Sequence, residues 1–185
     1  MLAMKFIKLF LFVLLFQSQS YAQVQNWVLG TGFNFVDDDG KASSLFNLKN
    51  GWNGLPFPSS FYCEKYFNKS LSVEFSESVN SYKIGNEIDQ VIIKQNIFFM
   101  SVDMNAKYHF NSLYNKSQWL DPYIIGGLGI TMRGKNVVPN PNIGFGATFW
   151  VSNRLGINVQ SSAKFKITTA GSNYLQHALG VRIRF

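Results

Sequence analysis

Between Phe98 and Phe110 the chain alternates without a break. Phe98, Met100, Val102, Met104, Ala106, Tyr108 and Phe110 fall on one side, and Phe99, Ser101, Asp103, Asn105, Lys107 and His109 on the other. A helix would spread these residues around its circumference, whereas a strand sorts them onto two faces. The last segment repeats the pattern: Leu175, His177, Leu179, Val181, Ile183 and Phe185 oppose Tyr174, Gln176, Ala178, Gly180, Arg182 and Arg184. Weaker alternation runs through Trp27–Val36, Leu55–Glu64, Leu71–Ser76, Tyr123–Ile130, Ile143–Val151 and Leu155–Phe165. The pattern predicts eight strands of about ten residues, the length of a tilted strand that crosses a bilayer.

The connections predict a direction for the chain. Segments 37–54, 79–97, 133–141 and 167–173 read as long or polar, whereas Phe67-Asn68-Lys69 and Ser152-Asn153-Arg154 read as tight turns. Asn111–Asp121 is a longer link on the tight-turn side. Long loops alternating with short turns is the asymmetry of outer-membrane barrels, and an even strand number brings both ends to one side.

Which face meets lipid follows from size. Trp27, Phe33, Phe35, Phe57, Phe61, Phe98, Phe145, Phe149, Phe165 and Phe185 all lie on the apolar face. An eight-stranded barrel encloses only a narrow interior, which these rings would overfill. The other face is rich in Gly, Ser, Asn and Thr. The expectation is therefore rings outward in hydrocarbon and small or polar residues inside. Tyr66, Phe67, Tyr108, Phe110, Trp119 and Tyr123 join Trp27 as expected interfacial girdle residues. The inward charges are Glu64, Glu74, Asp103, Lys107, Lys164, Arg182 and Arg184, whose near balance predicts ion pairs that fill the lumen.

Met1–Ala22 reads as a secretory signal peptide: Lys5 and Lys8 precede the apolar run Leu9–Phe16, and Ser20-Tyr21-Ala22 is a small-x-small cleavage site. The domain reading is thus 1–22 as leader and 23–185 as barrel. The chain has 185 residues, a net charge of +7, one Cys and two His. That composition excludes an internal disulfide framework and a thiolate metal cluster. Loss of Lys5 and Lys8 leaves only mild basicity, so nucleic acid is not an expected partner.

The stretches Phe35–Lys41, Leu55–Ser59, Asp121-Pro122-Tyr123 with Gly126–Gly129, Gly144-Phe145-Gly146, Phe149–Gly156 and Gln176–Val181 resemble the N-terminal eight-stranded barrel of OmpA-type bacterial outer-membrane proteins. The terminal Phe185, with Leu179, Val181 and Ile183 at alternate positions before it, resembles the signal by which such barrels are recognised for insertion. The resemblance implies an all-β, eight-stranded antiparallel up-and-down transmembrane barrel in the bacterial outer membrane. It also implies a structural or surface-interaction role and contact with outer-membrane lipid and the barrel-assembly machinery. The peptidoglycan-binding domain that often follows such barrels is not carried over, and neither is its tethering role.

Catalytic motifs are missing: there is no Gly-x-Ser-x-Gly elbow, His-Glu-x-x-His helix or P-loop. Asp37-Asp38-Asp39-Gly40 lacks the alternating ligands of a calcium loop and reads as a solvated turn. Asn68-Lys69-Ser70 and Asn115-Lys116-Ser117 match a glycosylation pattern that a bacterial chain would not use. Cys63 is expected to face lipid as a small apolar residue. His109 and His177 fall on opposite faces, which argues against a shared catalytic site. Neither a cofactor nor a metal is expected, and the chain is read as no enzyme. The alternatives are a small pore, or a lipid-modifying enzyme built on His177 with Ser161. Loops 37–54 and 79–97, with Leu45, Phe46, Trp52, Ile92 and Ile93, are the expected contact with an extracellular partner.

Overall fold

The computed structural model describes residues 27–38, 52–88, 91–110, 119–168 and 172–185. The expected leader, Leu45, Phe46, the Asp39-Gly40 end of the acidic turn and Asn115–Ser117 lie outside them. Eleven strands follow in order: β1 Trp27–Asp37, β2 Trp52–Gly54, β3 Ser60–Tyr66, β4 Leu71–Tyr82, β5 Glu87–Ile88, β6 Val91–Ile92, β7 Ile97–His109, β8 Leu120–Arg133, β9 Asn136–Trp150, β10 Leu155–Lys164 and β11 Tyr174–Arg184. Eight long antiparallel strands make the wall in the order β11-β10-β9-β8-β7-β4-β3-β1, and β11 pairs back onto β1. The closing seam runs from Val28 opposite Arg184 to Asp37 opposite Leu175. Closure leaves no lateral strand edge along that seam, as a sheet in lipid requires.

Both chain-end strands and the turns after β3 and β9 lie at one rim. The first turn is held by Asn68 Oδ1, which accepts the N–H groups of Ser70 (2.8 Å) and Leu71 (2.9 Å). The second is held by Ser152 Oγ, which accepts the N–H of Leu155 at 3.0 Å. Trp27 and Phe185 exchange backbone hydrogen bonds at the same rim.

The opposite rim departs from the sequence reading in three places. Leu55–Ser59 is not strand: β3 starts at Ser60, and β2 is a separate piece that pairs with Phe35–Asp37. Pro56 and Pro58 interrupt the row, because proline lacks the ladder N–H. Segment 79–97 is shorter as a loop, since β4 continues to Tyr82 and the remainder folds into the β5–β6 hairpin. Segment 133–141 is no long loop at all. Gly134 and Lys135 make a tight turn, with Gly134 at a φ of 57°, where glycine is favoured.

Pro139 and Pro141 therefore sit inside β9, opposite Ile130 and Leu128. Their placement has a simple reason. The N–H and C=O of a strand residue point to the same side. Phe165 donates its N–H to the Pro141 carbonyl, so the proline nitrogens face the β10 side. β10 pairs with β9 only as far as Lys164 opposite Asn142. The missing donors thus lie where that pairing gives out, the edge position that strands reserve for proline.

The two faces separate as the alternation predicts. Leu128 and Phe145 on the outer face are 70% and 67% exposed, whereas Glu64 and Glu74 on the inner face are 0% exposed. Phe35 is only half-buried because Trp52 leans on it, with ring centroids 5.6 Å apart. Tyr66 and Tyr123 are corrections: both point inward, where their hydroxyls meet Asp121 (3.3 Å) and Asn158 (2.6 Å). They share strand parity with Glu64 and Asp121, and parity decides the face.

The narrow interior accommodates several of its rings by pairing them with glycine. Gly30 lies opposite Tyr62, Gly146 opposite Tyr123 and Gly156 opposite Trp150. A Cβ on Gly146 would stand 2.7 Å from the Tyr123 ring, and one on Gly156 2.8 Å from Trp150. A Cβ on the outward Gly126 would meet nothing. Gly146→Val is accordingly expected to lower unfolding free energy by about 1–3 kcal/mol through overpacking. Gly126→Val should be neutral. Urea unfolding in detergent micelles, read as a shift in midpoint at constant slope, measures both.

Candidate functional site

The inner face gathers its charges into clusters stacked along the barrel. Toward the chain-end rim, Glu64 of β3 and Glu74 of β4 are direct cross-strand neighbours. Like charges so placed repel. Two cations hold them together. Lys107 of β7 pairs with Glu74 and, at 3.4 Å, with Glu64. Arg182 reaches in from β11, pairing with Glu64 and, at 2.6 Å, with Glu74. Aromatic faces complete the cage: the Arg182 guanidinium lies 4.9 Å from the Tyr62 centroid, and Lys107 Nζ 4.3 Å from that of Tyr123. Among the described residues Glu74 Oε1 and Arg182 Nε find no hydrogen-bond partner.

His109 extends this cluster. Its Nε2 is 3.1 Å from Glu64 and its Nδ1 3.1 Å from Asp121. Ser72 Oγ is 2.8 Å from His109 Nε2 and donates to Glu64 Oε1 at 2.5 Å. Ser72, His109 and Asp121 thus have the spacing of a hydrolase triad. The surroundings oppose that chemistry. Ser72 is 2% exposed and His109 1% exposed, and the serine proton is engaged by Glu64 rather than aimed at a substrate. The arrangement reads as a satisfied buried network.

A second cluster occupies the middle. Lys164 Nζ lies 2.5 Å from Asp103 and 2.6 Å from Ser101 Oγ, and Asn142 donates to the other Asp103 oxygen at 2.9 Å. A cavity of about 30 Å³ beside it is lined by Asn34, Ser78, Asn105, Gln160 and Gln176 among others. That space suits one or two waters.

A third cluster was not legible beforehand. Asp38 pairs with Arg133 at 3.0 Å and accepts the Tyr82 hydroxyl at 2.9 Å. Asp37 and Asp38 are 5% and 1% exposed, so these two members of the expected solvated acidic turn are instead buried at the mouth of the barrel. Beside it Val36, Tyr82, Phe99 and Tyr174 form an apolar layer, against which Ile88, Ile93 and Ile97 pack. The β5–β6 hairpin thereby covers this end.

Of the charges named from sequence, Glu64, Glu74, Lys107 and Arg182 come together, and Asp103 and Lys164 form a separate pair. Arg184 does not join them. It is half-buried near the rim, with its guanidinium 3.5 Å from the Trp150 ring centroid and no ion pair among the described residues. Leu179, Val181, Ile183 and Phe185 line the outer face of β11, each about half exposed. Cys63 is a free, half-buried cysteine. His177 and Ser161 are direct neighbours across β11 and β10. The histidine ring is stacked on Trp52 at 4.5 Å, however, and no hydrogen bond joins it to Ser161 among the described residues. Ile92 is exposed, whereas Ile93 belongs to the apolar layer.

Removing one partner of a buried charge cluster leaves the others uncompensated. Arg182→Met is expected to cost about 3–5 kcal/mol of unfolding free energy, and adding Glu74→Leu should restore much of it. Arg184→Met should cost about 1 kcal/mol or less, the worth of its ring contact. Urea titrations of the four proteins in one micelle type decide the matter.

No protein-family model and no curated protein matches this sequence. Solved structures do match it by fold. The N-terminal β-barrel domain of Pseudomonas aeruginosa OprF superposes with a TM-score of 0.57 at 15% identity, over 88% of this chain and 100% of that one. The outer membrane protein OprG of the same organism gives 0.60 at 10% identity, over 88% and 99%. Ail, the attachment invasion locus protein of Yersinia pestis, gives 0.54 at 14% identity, over 88% and 100%. With its sheet closed and its apolar side chains turned outward, the chain has the fold of the small eight-stranded outer-membrane β-barrels.

Proposed function

We propose that this protein is an integral barrel of the bacterial outer membrane whose lumen is a plug rather than a pore, and that its role is structural or in surface interaction, not catalytic. The observation that carries the reading is the combination of a closed wall with an apolar exterior and an interior of ion-paired side chains. An exposed band containing Phe61, Phe75, Met104, Leu128, Ile143 and Phe145 has no place in water on a monomeric barrel. It fits hydrocarbon. Inside, Glu64, Glu74, Lys107 and Arg182 satisfy one another across the lumen instead of lining an open path.

In this reading Leu179, Val181, Ile183 and Phe185 present β11 to the barrel-assembly machinery before the seam with β1 closes. Extracellular contact falls to loops 37–54 and 79–97, at the rim opposite the chain ends. The hairpin of the second loop carries Val91 and Ile92, both 66% exposed. Neither a cofactor nor a metal enters the role.

Two measurements test the proposal. The folded protein should resist unboiled electrophoresis in detergent and shift its migration on boiling. Reconstituted in a planar bilayer, it should give no stable conductance steps. Discrete channels from the unmodified protein would overturn the plug.

A further inference from the structure

The rim opposite the chain ends repeats one pairing of side chains. Lys83 and Ile84 are adjacent just after β4, and Ile84 is 64% exposed. Lys94 follows the exposed Val91 and Ile92 before β7. Lys135, in the β8–β9 turn, stands beside Val137, which is 62% exposed. Lys166 and Ile167 are adjacent after β10, and Ile167 is 64% exposed. All four lysines are exposed, and none makes an ion pair among the described residues. They follow or precede the contiguous strands β4, β7, β8, β9 and β10, which form one half of the rim. Among the described residues the other half, at β11, β1 and β2, carries no exposed lysine, and its Asp37 and Asp38 are buried. The chain-end rim is mixed: Lys65 lies over the Trp27 ring at 4.8 Å, and the aromatic Phe67 and Trp119 are exposed there beside the aliphatic Leu71, Val151 and Leu155.

A cation beside an exposed branched aliphatic, repeated around half a rim, matches the boundary between headgroups and acyl chains. The aliphatic side chain gains by leaving water, while the lysine stem lies along it and delivers the ammonium to a phosphate. An excess of lysine with only Glu87 as a described acid on this half rim makes the field attractive to anions. We propose that this half rim binds phosphate-bearing lipid headgroups of the surrounding leaflet, with Lys83, Lys94, Lys135 and Lys166 on the phosphates and their aliphatic neighbours among the upper acyl chains. The proposal rests on the membrane-barrel reading above and names the lipid chemistry that its outer rim selects. The occupant is a lipid, not a free anion, because each lysine is coupled to an apolar group that a free anion would leave in water.

The test uses the full chain folded in zwitterionic micelles, with labelled diphosphoryl lipid A as probe and energy transfer from the protein's tryptophans as readout. Each Lys→Gln change is expected to weaken binding about fivefold, and K83Q/K94Q/K135Q/K166Q on the order of a hundredfold or more. K65Q/K69Q, at the other rim, should bind as the parent does. Inorganic phosphate should displace the probe no better than chloride at equal ionic strength. Unchanged binding by the quadruple variant, in a sample that still shows the boiled-versus-unboiled shift, overturns the proposal. So does displacement by inorganic phosphate beyond the chloride control, which would mark a free-anion site. If the parent chain stays soluble without detergent and shows no such shift, the membrane reading itself fails.

Discussion

The structure depends on the seam between β1 and β11. In hydrocarbon an unpaired backbone N–H or C=O costs several kcal/mol, so a sheet can span only if its first strand closes on its last. Here the pairing of Val28 with Arg184 through Asp37 with Leu175 does this. Closing with eight strands sets the diameter, and the diameter dictates what inward positions hold. Three of the large inward rings accordingly stand opposite a residue with no side chain. Tyr62 lies against Gly30, Tyr123 against Gly146 and Trp150 against Gly156.

The same confinement governs the charges. Buried ions are tolerated only when paired and hydrogen-bonded. Glu64 and Glu74 are held adjacent by the register of β3 on β4, and Lys107 comes from the next strand. Arg182 belongs to β11, far along the chain, and arrives only once the barrel has closed. The cluster is therefore a lock that forms with the seam: its four members span the wall on both sides of β1. The Asp103–Lys164 pair and the Asp38–Arg133 pair add further crossings, and the β5–β6 hairpin caps the mouth with Ile88 and Ile93. Polar satisfaction, rather than an apolar core, fills this protein.

Much of this was legible in the residues. The unbroken alternation of Phe98–Phe110 and of Leu175–Phe185 placed β7 and β11 and assigned their faces, because a period of two allows one reading. Parity also placed Glu64, Glu74, Lys107 and Arg182 inside. Signals that depend on neighbours were harder to read. Pro139 and Pro141 look like a loop because a proline in a paired strand is costly, and only the early end of β10 makes that edge free. Asp38 and Arg133 carry no periodic mark, since they sit where strands give way to turns. Tyr66 and Tyr123 were assigned by residue type to a girdle, when their strand parity already turned them inward.

The residues alone determined that the chain forms strands, which face of each is apolar, and that bulky rings must look outward, because alternation and side-chain volume are local properties. Which charge meets which, that Arg184 stacks on Trp150 instead of joining an ion pair, and that Asp37 and Asp38 are buried in the mouth were decided only by the tertiary structure. Those outcomes rest on register and stagger around a closed cylinder. They are fixed when the last strand meets the first, and no segment carries them by itself.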